Sequence, residues 1–335
     1  MTPAPQFDFL SAHGTRYFGL ARYALLAALE LLDLPRGARV LVPAFICRDL
    51  LAAIHVAHAI PVFYAVDETL SPLEPNHKWP QASVVIAVNY FGFPQDLTLF
   101  RAYCDRTDAY LIEDNAHGFL SADEHGVWLG ARGDMGLFSL RKTMLTPNGA
   151  ALLVNRENLL PLISKQESFS LVSLPLSFRC KLTLSRLQRQ WGIPVVAWAQ
   201  NIVRLGRYLR TGHAITPLAP ENEFQLPEGK HAHQYLFRAL SEVQPELETN
   251  RRRNLYRRFE EELSMYEVRS VFKSLPPHTV PYGYAFYASG DVADKVTGLA
   301  RASGYDCVPW PDLPEAVAAS APNHYRSLWM INFLC

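Results

Sequence analysis

Charge of either sign is not in excess in this 335-residue sequence: Lys plus Arg and Asp plus Glu number 32 each. That balance removes any overall electrostatic case for nucleic acid as a partner. There is no CxxC pair, and the five cysteines (Cys47, Cys104, Cys180, Cys307, Cys335) are odd in number and scattered. This argues against a disulfide framework and against a zinc site, and for reduced thiols in a cytoplasm. No uninterrupted apolar run approaches the roughly 18 residues of a membrane span. The start, Met1-Thr2-Pro3-Ala4-Pro5-Gln6-Phe7-Asp8, lacks the basic and apolar regions of a secretory signal. A soluble protein is expected. At 49% hydrophobic and 19% charged residues, the composition is that of an ordinary globular chain, long enough for one large and one small domain.

What is present is an alternation. Tyr17 to Leu34 has helical Ala/Leu spacing and stops at Pro35-Arg36-Gly37. Arg39 to Pro43 reads as a buried strand, Cys47 to Ala59 as a helix, Pro61 to Tyr64 and Ser83 to Val88 as strands, Leu99 to Thr107 as a helix and Tyr110 to Ile112 as a strand. Strands alternating with helices predict βαβ units and a parallel sheet covered on both faces. Ligands of such sheets bind at the carboxyl ends of the strands, and Cys47, Asn89 and Asp114 all follow strand ends. Toward the C-terminus, Glu242 to Met265 reads as one long polar helix carrying Arg251-Arg252-Arg253. Strand-like Val280 to Phe286, a helix from Val292 to Ser303 and a closing helical stretch then suggest a small α+β unit. The expected division is a large cofactor-binding domain over 1–240 and a small C-terminal domain over 241–335.

Residues 168–220 contain no Asp or Glu, yet hold Arg179, Lys181, Arg186, Arg189, Arg204, Arg207 and Arg210 among Trp191, Trp198 and Tyr208. Such a segment is either a solvated basic face or, as an insertion or lid, a patch over 179–210 for an anionic substrate or a membrane surface.

Two short segments carry the chemistry. Ile112-Glu113-Asp114-Asn115-Ala116-His117-Gly118 and Phe138-Ser139-Leu140-Arg141-Lys142-Thr143 are joined by a spacer holding Gly133-Asp134. Singly, each residue has an ordinary explanation: a solvated strand end, a packed histidine, a surface lysine. Their order is that of a pyridoxal phosphate (PLP) site. The pyridine nitrogen stays protonated over a buried carboxylate such as Asp114. A lysine amine, for which Lys142 is the candidate, closes a Schiff base with the aldehyde and shuttles a proton. The phosphate takes hydroxyls and helix N-terminal N–H groups, with Ser139 the nearby hydroxyl.

These residues resemble the DegT/DnrJ/EryC1/StrS sugar aminotransferases, which share the fold type I of aspartate aminotransferase. The resemblance runs from about Leu20 to Asn155 and weakly from Arg252 onward. Val42-Pro43-Ala44-Phe45 with Ala59-Ile60-Pro61-Val62-Phe63 is similar to the family's phosphate segment. Asn89-Tyr90-Phe91-Gly92-Phe93-Pro94 is similar to its next strand end, and Glu113-Asp114-x-Ala116-His117-Gly118 to its pyridine-nitrogen motif. The resemblance implies an α/β fold with a mostly parallel sheet in a large domain and a small α+β C-terminal domain. It further implies Lys142 as the Schiff-base lysine, Asp114 as ring-nitrogen partner, His117 as a ring or O3′ contact and Ser139 as a phosphate ligand, with Cys47, Arg48 and Asn89 also on the cofactor.

The sequence departs from the family in three places. The Ser139-to-Lys142 link is two residues short, although Lys142 keeps the usual distance to Gly149. Asp49 and Leu50 replace a Ser/Thr pair, so a carboxylate stands where phosphate is expected, offset by Arg48 or by the N–H groups of Cys47 and Arg48. Between Leu160 and Leu236 the loop used on nucleotide-linked keto sugars is not recognisable. The resemblance therefore implies a cytoplasmic, homodimeric aminotransferase moving an amino group from an amino-acid donor to a keto or aldehyde acceptor, on a sugar or another precursor. A PLP lyase or dehydratase is the alternative within the cofactor, disfavoured by Lys142. A non-catalytic binding or regulatory protein on the same fold is the alternative outside it.

Overall fold

Val84–Val88 is buried at every position, as a strand covered on both faces must be. The computed structural model describes residues 10, 13–163, 169, 173–191, 202–203, 206, 209–210 and 219–334.

The elements are, in chain order, β1 (Thr15–Phe18), α1 (Ala21–Leu31), β2 (Arg39–Pro43), α2 (Leu51–Val56), β3 (Ile60–Tyr64), β4 (Val84–Val88), α3 (Thr98–Thr107), β5 (Tyr110–Asp114), β6 (Met135–Phe138) and β7 (Ala150–Val154). There follow α4 (Leu176–Trp191), α5 (Tyr235–Glu242), α6 (Pro245–Leu263), β8 (Arg269–Ser270), β9 (Gly283–Tyr287), α7 (Gly290–Ala302), β10 (Asp306–Pro309), two one-turn helices α8 (Glu315–Ala318) and α9 (Asn323–Arg326), and β11 (Leu328–Asn332).

The first seven strands form one sheet in the order β1-β7-β6-β5-β4-β2-β3. Neighbours from β3 to β6 pair in parallel, and β7 runs antiparallel to both β6 and β1. The carboxyl ends of β2, β4, β5 and β6 therefore lie side by side along one edge. Helix α1 packs on this sheet through Ala24, Leu25, Ala28 and Leu29, a one-sided stripe that small residues let approach closely. The second sheet, β10-β11-β9-β8, is antiparallel throughout. Tyr256 and Phe259 of α6 are buried against it, with Tyr256 5.0 Å from Tyr284 of β9.

The expected βαβ alternation is present, with informative differences. Tyr17 and Phe18 belong to β1, because pairing with Ala150 and Ala151 satisfies their backbone before the helix starts. The long polar helix is present as α6 but starts at Pro245 rather than Glu242: Gln244 is extended (φ −111°, ψ 93°) ahead of Pro245 at its first turn, as the proline ring requires of its predecessor. The chain closes on a strand rather than a helix, since Leu-Trp-Met-Ile is apolar without a diagnostic period and β11 fills the gap between β9 and β10. No helix among the described residues is long and apolar enough to cross a membrane.

Candidate active site

Four adjacent strand ends deliver the chemistry. Asp114 ends β5, and its carbonyl accepts the N–H of Asn89, which follows β4, at 3.0 Å. His117 lies three residues beyond. Ser139 follows β6, and Leu140–Lys142 is one 3-10 turn closed by Lys142 N–H to Ser139 O at 3.0 Å. That tight turn lets the short Ser139-to-Lys142 link bring the lysine back over Asp114. Asp114, His117, Ser139, Lys142, Asn89 and Cys47 line one cavity, together with Arg22, Asp49 and Trp310.

Asp114 is 8% exposed. Its Oδ1 accepts the N–H of Ala116 at 2.9 Å, while Oδ2 has no hydrogen-bond partner among the described residues. Burial pushes the carboxyl above its usual range, partly offset by the Ala116 N–H and by Lys142, and Asp49 adds to the upward push. A buried carboxylate with a free oxygen is a seat for a cationic N–H.

Lys142 Nζ lies 3.0 Å from His117 Nε2 and 5.8 Å from the Tyr282 ring centroid. The other ring nitrogen, Nδ1, accepts the backbone N–H of Phe91 at 3.3 Å. A neutral imidazole accepting at Nδ1 carries its proton on Nε2. Burial first, then Lys142 and Arg252, holds the His117 imidazolium pKa well below 6.5. Tyr282 stacks on the imidazole (4.4 Å, 4°), Phe91 lies nearly parallel at 5.7 Å, and the Trp310 edge is 5.7 Å away. The edge bearing Nε2, not the face against Tyr282, is what His117 offers to the cavity. Phe91 aims its N–H by adopting φ +54°, a left-handed conformation costing a non-glycine residue about 1–3 kcal/mol.

The remaining expected residues divide. Ser139 is buried and its hydroxyl makes no hydrogen bond among the described residues. Cys47 lines the cavity, but burial pushes its thiol up to about 12, so it is a wall and not a nucleophile. Asn89 also lines the cavity, yet its amide is consumed: Nδ2 donates to Glu113 Oε1 at 2.8 Å, and Oδ1 accepts Gln95 N–H and Arg132 Nη2 at 3.0 Å each. Arg48 does not line the cavity. Its Nε is 3.3 Å from the Asp312 carboxylate and its N–H donates to Asp312 O at 2.8 Å, so neither can offset Asp49. Arg22 does that instead, with Nη2 2.6 Å from Asp49 Oδ2.

Arg22 escaped the sequence reading. Its signal was an arginine in the first turn of a helix that begins after Gly19 without a capping side chain, where a cation opposes the helix dipole. The N–H groups of Ala21 and Arg22 make no hydrogen bond among the described residues. Gly19 itself permits the close approach of the 229–231 backbone, which an added Cβ would strike.

Two buried ion pairs brace the site. Glu113, fully buried, takes Arg132 Nε at 2.9 Å and Nη2 at 2.5 Å. Arg252, 1% exposed, is held by Glu248 at 2.6 Å and donates to Lys142 O at 3.4 Å. Of the basic segment, Arg179 and Arg210 are exposed. Arg204, Arg207, Trp198 and Tyr208, and the side chains of Arg186, Arg189 and Trp191, lie outside the described residues.

Residues 20–173 match the model of the DegT/DnrJ/EryC1/StrS aminotransferase family. The chain is 29% identical over 139 residues to a putative L-glutamine:3-amino-2,3-dideoxy-scyllo-inosose aminotransferase of Streptomyces kanamyceticus, over 40% of this chain and 33% of that protein. It is 31% identical over 121 residues to a UDP-N-acetyl-3-dehydro-alpha-D-glucosamine 3-aminotransferase of Acidithiobacillus ferrooxidans, over 35% and 32% of the two chains. The alignments thus span about a third of these curated relatives' length. The fold is shared over nearly the whole chain: with the aminotransferase TlmJ of Streptoalloteichus hindustanus the TM-score is 0.65 at 20% identity, covering 97% of this chain and 83% of that one. With the Helicobacter pylori aminotransferase PseC it is 0.66 at 11% identity, covering 97% and 82%.

Proposed function

We propose that this chain is a PLP-dependent aminotransferase that carries an amino group from an amino-acid donor to a keto or aldehyde acceptor on a sugar or related precursor. The observation that carries the reading is the meeting of Lys142 and Asp114 in one cavity whose donor set fits the cofactor. Asp114 offers a free buried oxygen for the pyridinium, Ser139 a free hydroxyl, and α1 an uncapped N-terminus for the phosphate. When bound, PLP supplies the electron sink of transamination.

The protein's own groups have separable tasks. Lys142 would hold the cofactor through its amine and, once freed, would move a proton between the substrate's α carbon and the cofactor. His117 positions that amine through Nε2 and is kept neutral by its burial. Asp114 retains the ring proton. Trp310, which follows β10 of the second sheet, lines the cavity, and Tyr282 backs the His117 ring. The family match and the sugar and cyclitol aminotransferases among the similar proteins support the acceptor class. A homodimer and a cytoplasmic location follow from the resemblance, and the basic stretch 179–210 is the proposed contact for an anionic acceptor.

The test is an absorption spectrum of purified protein with added PLP, before and after borohydride, beside Lys142→Ala. A band that borohydride fixes onto Lys142, with release of 2-oxo acid from a donor such as glutamate, supports the aminotransferase. A band without 2-oxo acid release turns the reading to the lyase. No band, or the same band in Lys142→Ala, removes the cofactor role altogether.

A further inference from the structure

Arg22 and Asp49 form the ion pair at the end of the cavity where α1 begins. The two side chains are 16% and 26% exposed, and both line the cavity with Ser139, Asp114 and Lys142. Helix stability alone would not select this arrangement, because a cation in the first turn opposes the helix dipole. Nor would a second carboxylate be selected beside Asp114. Apart from the single bond to Asp49, the guanidinium makes no hydrogen bond among the described residues, so most of its donors are unspent. The Ala21 and Arg22 N–H groups and the Ser139 hydroxyl, on the same cavity, are unspent too. A planar fork with spare donors, a hydroxyl and a helix N-terminus are the groups that recognise a phosphate monoester.

We propose that Arg22 is this chain's phosphate-binding cation and that Asp49 is a built-in competitor for it. The proposal rests on the reading of the cavity as a PLP site, and gives Arg22 a phosphate grip beside Ser139 as well as the pairing with Asp49 that the sequence pattern placed on Arg48. Without phosphate, Asp49 neutralises the guanidinium. When the phosphate arrives, Arg22 is shared with or released from Asp49, and the carboxylate left beside the dianion weakens the grip. Phosphate affinity is thereby set below what the donors alone would give. Arg48 does not line the cavity, and its Nε lies 3.3 Å from the Asp312 carboxylate instead.

The test titrates wild type, Arg22→Met and Asp49→Asn with PLP and with pyridoxal, which has the same aldehyde and ring but no phosphate, following the absorbance change on binding. Inorganic phosphate is then used as a competitor of PLP. Arg22→Met is expected to weaken PLP about tenfold or more, the loss of a charge-assisted contact to phosphate, while leaving pyridoxal unchanged. Asp49→Asn is expected to tighten PLP and to sharpen competition by inorganic phosphate, again without effect on pyridoxal. If Arg22→Met weakens both aldehydes equally, or neither, the phosphate role of Arg22 is overturned. If Asp49→Asn weakens PLP, Asp49 aligns Arg22 and does not compete with phosphate. A wild type that binds neither aldehyde removes the cofactor reading and the proposal with it. One that binds both equally overturns only the phosphate assignment.

Discussion

The guanidinium of Arg252, on a helix of the C-terminal part, donates to the backbone carbonyl of Lys142 at 3.4 Å while Glu248 Oε1 holds its Nε at 2.6 Å. The turn that carries the proposed catalytic lysine is thus fastened from beneath by a buried cation 110 residues away in sequence. A fully buried charge is tolerated only while its partner stays in place.

Removing that cation leaves Glu248 to Arg251 alone. Arg252→Met is therefore expected to destabilise the protein toward the lower end of the roughly 3–5 kcal/mol typical of a broken buried pair. Thermal unfolding of the single variant and of Arg252→Met with Glu248→Leu checks this: the double variant recovers part of the loss. An unchanged melting temperature in Arg252→Met would show that the pair does not brace the fold.

The neutral state of His117 makes stability depend on pH. Its folded pKa is depressed by burial, Lys142 and Arg252, so the unfolded chain binds a proton near pH 6.5 that the folded chain refuses. The unfolded state then holds more protons, and stability rises with pH. Stability is lost as pH falls from about 7 toward the folded value, at up to about 1.4 kcal/mol per unit. Melting temperatures between pH 7.5 and 5.5 should fall for wild type and fall less for His117→Asn. Equal slopes would mean that the imidazole is not held neutral.

Asp114 works in the opposite sense. Its raised pKa means that the folded state binds the proton more tightly than the unfolded one, so burial of the charge costs stability above that pKa. Asp114→Asn in the cofactor-free protein at pH 7.5 is expected to melt at the same temperature or higher, yet to lose transamination by two orders of magnitude or more, on the scale of a group that controls protonation at the reacting centre. Lower melting and intact activity together would assign Asp114 to structure.

The Glu113 and Arg132 pair fixes Asn89 and the end of β5. Glu113→Gln leaves an 11%-exposed guanidinium with only the more distant Asp123 carboxylate at 3.8 Å and is expected to cost up to about 3 kcal/mol, read by denaturant unfolding. Loss of less than about 0.5 kcal/mol, the ordinary range of surface changes, would mean that the network is dispensable.

The sheet was legible because burial on both faces writes continuous apolar runs such as Val84–Val88, and because the order of strand and helix leaves few topologies. Asp114, His117, Ser139 and Lys142 were legible because each stands within four residues of a strand end. Asn89 and Arg48 also follow strand ends, but position along the chain cannot say which way an amide or guanidinium turns. Here Arg132 and Glu113 consume the amide, and the guanidinium lies beside Asp312, outside the cavity lining. Arg22, Arg252, Tyr282 and Trp310 reach the site from a helix start, from the interior of α6 and from the ends of second-sheet strands, carrying no local pattern of chemistry. Local patterning therefore determined the alternating fold and the strand-end chemistry by itself. Long-range packing decided which charges meet: a polar side chain commits to whichever buried partner spares it an unmet hydrogen bond, and that partner is chosen in three dimensions.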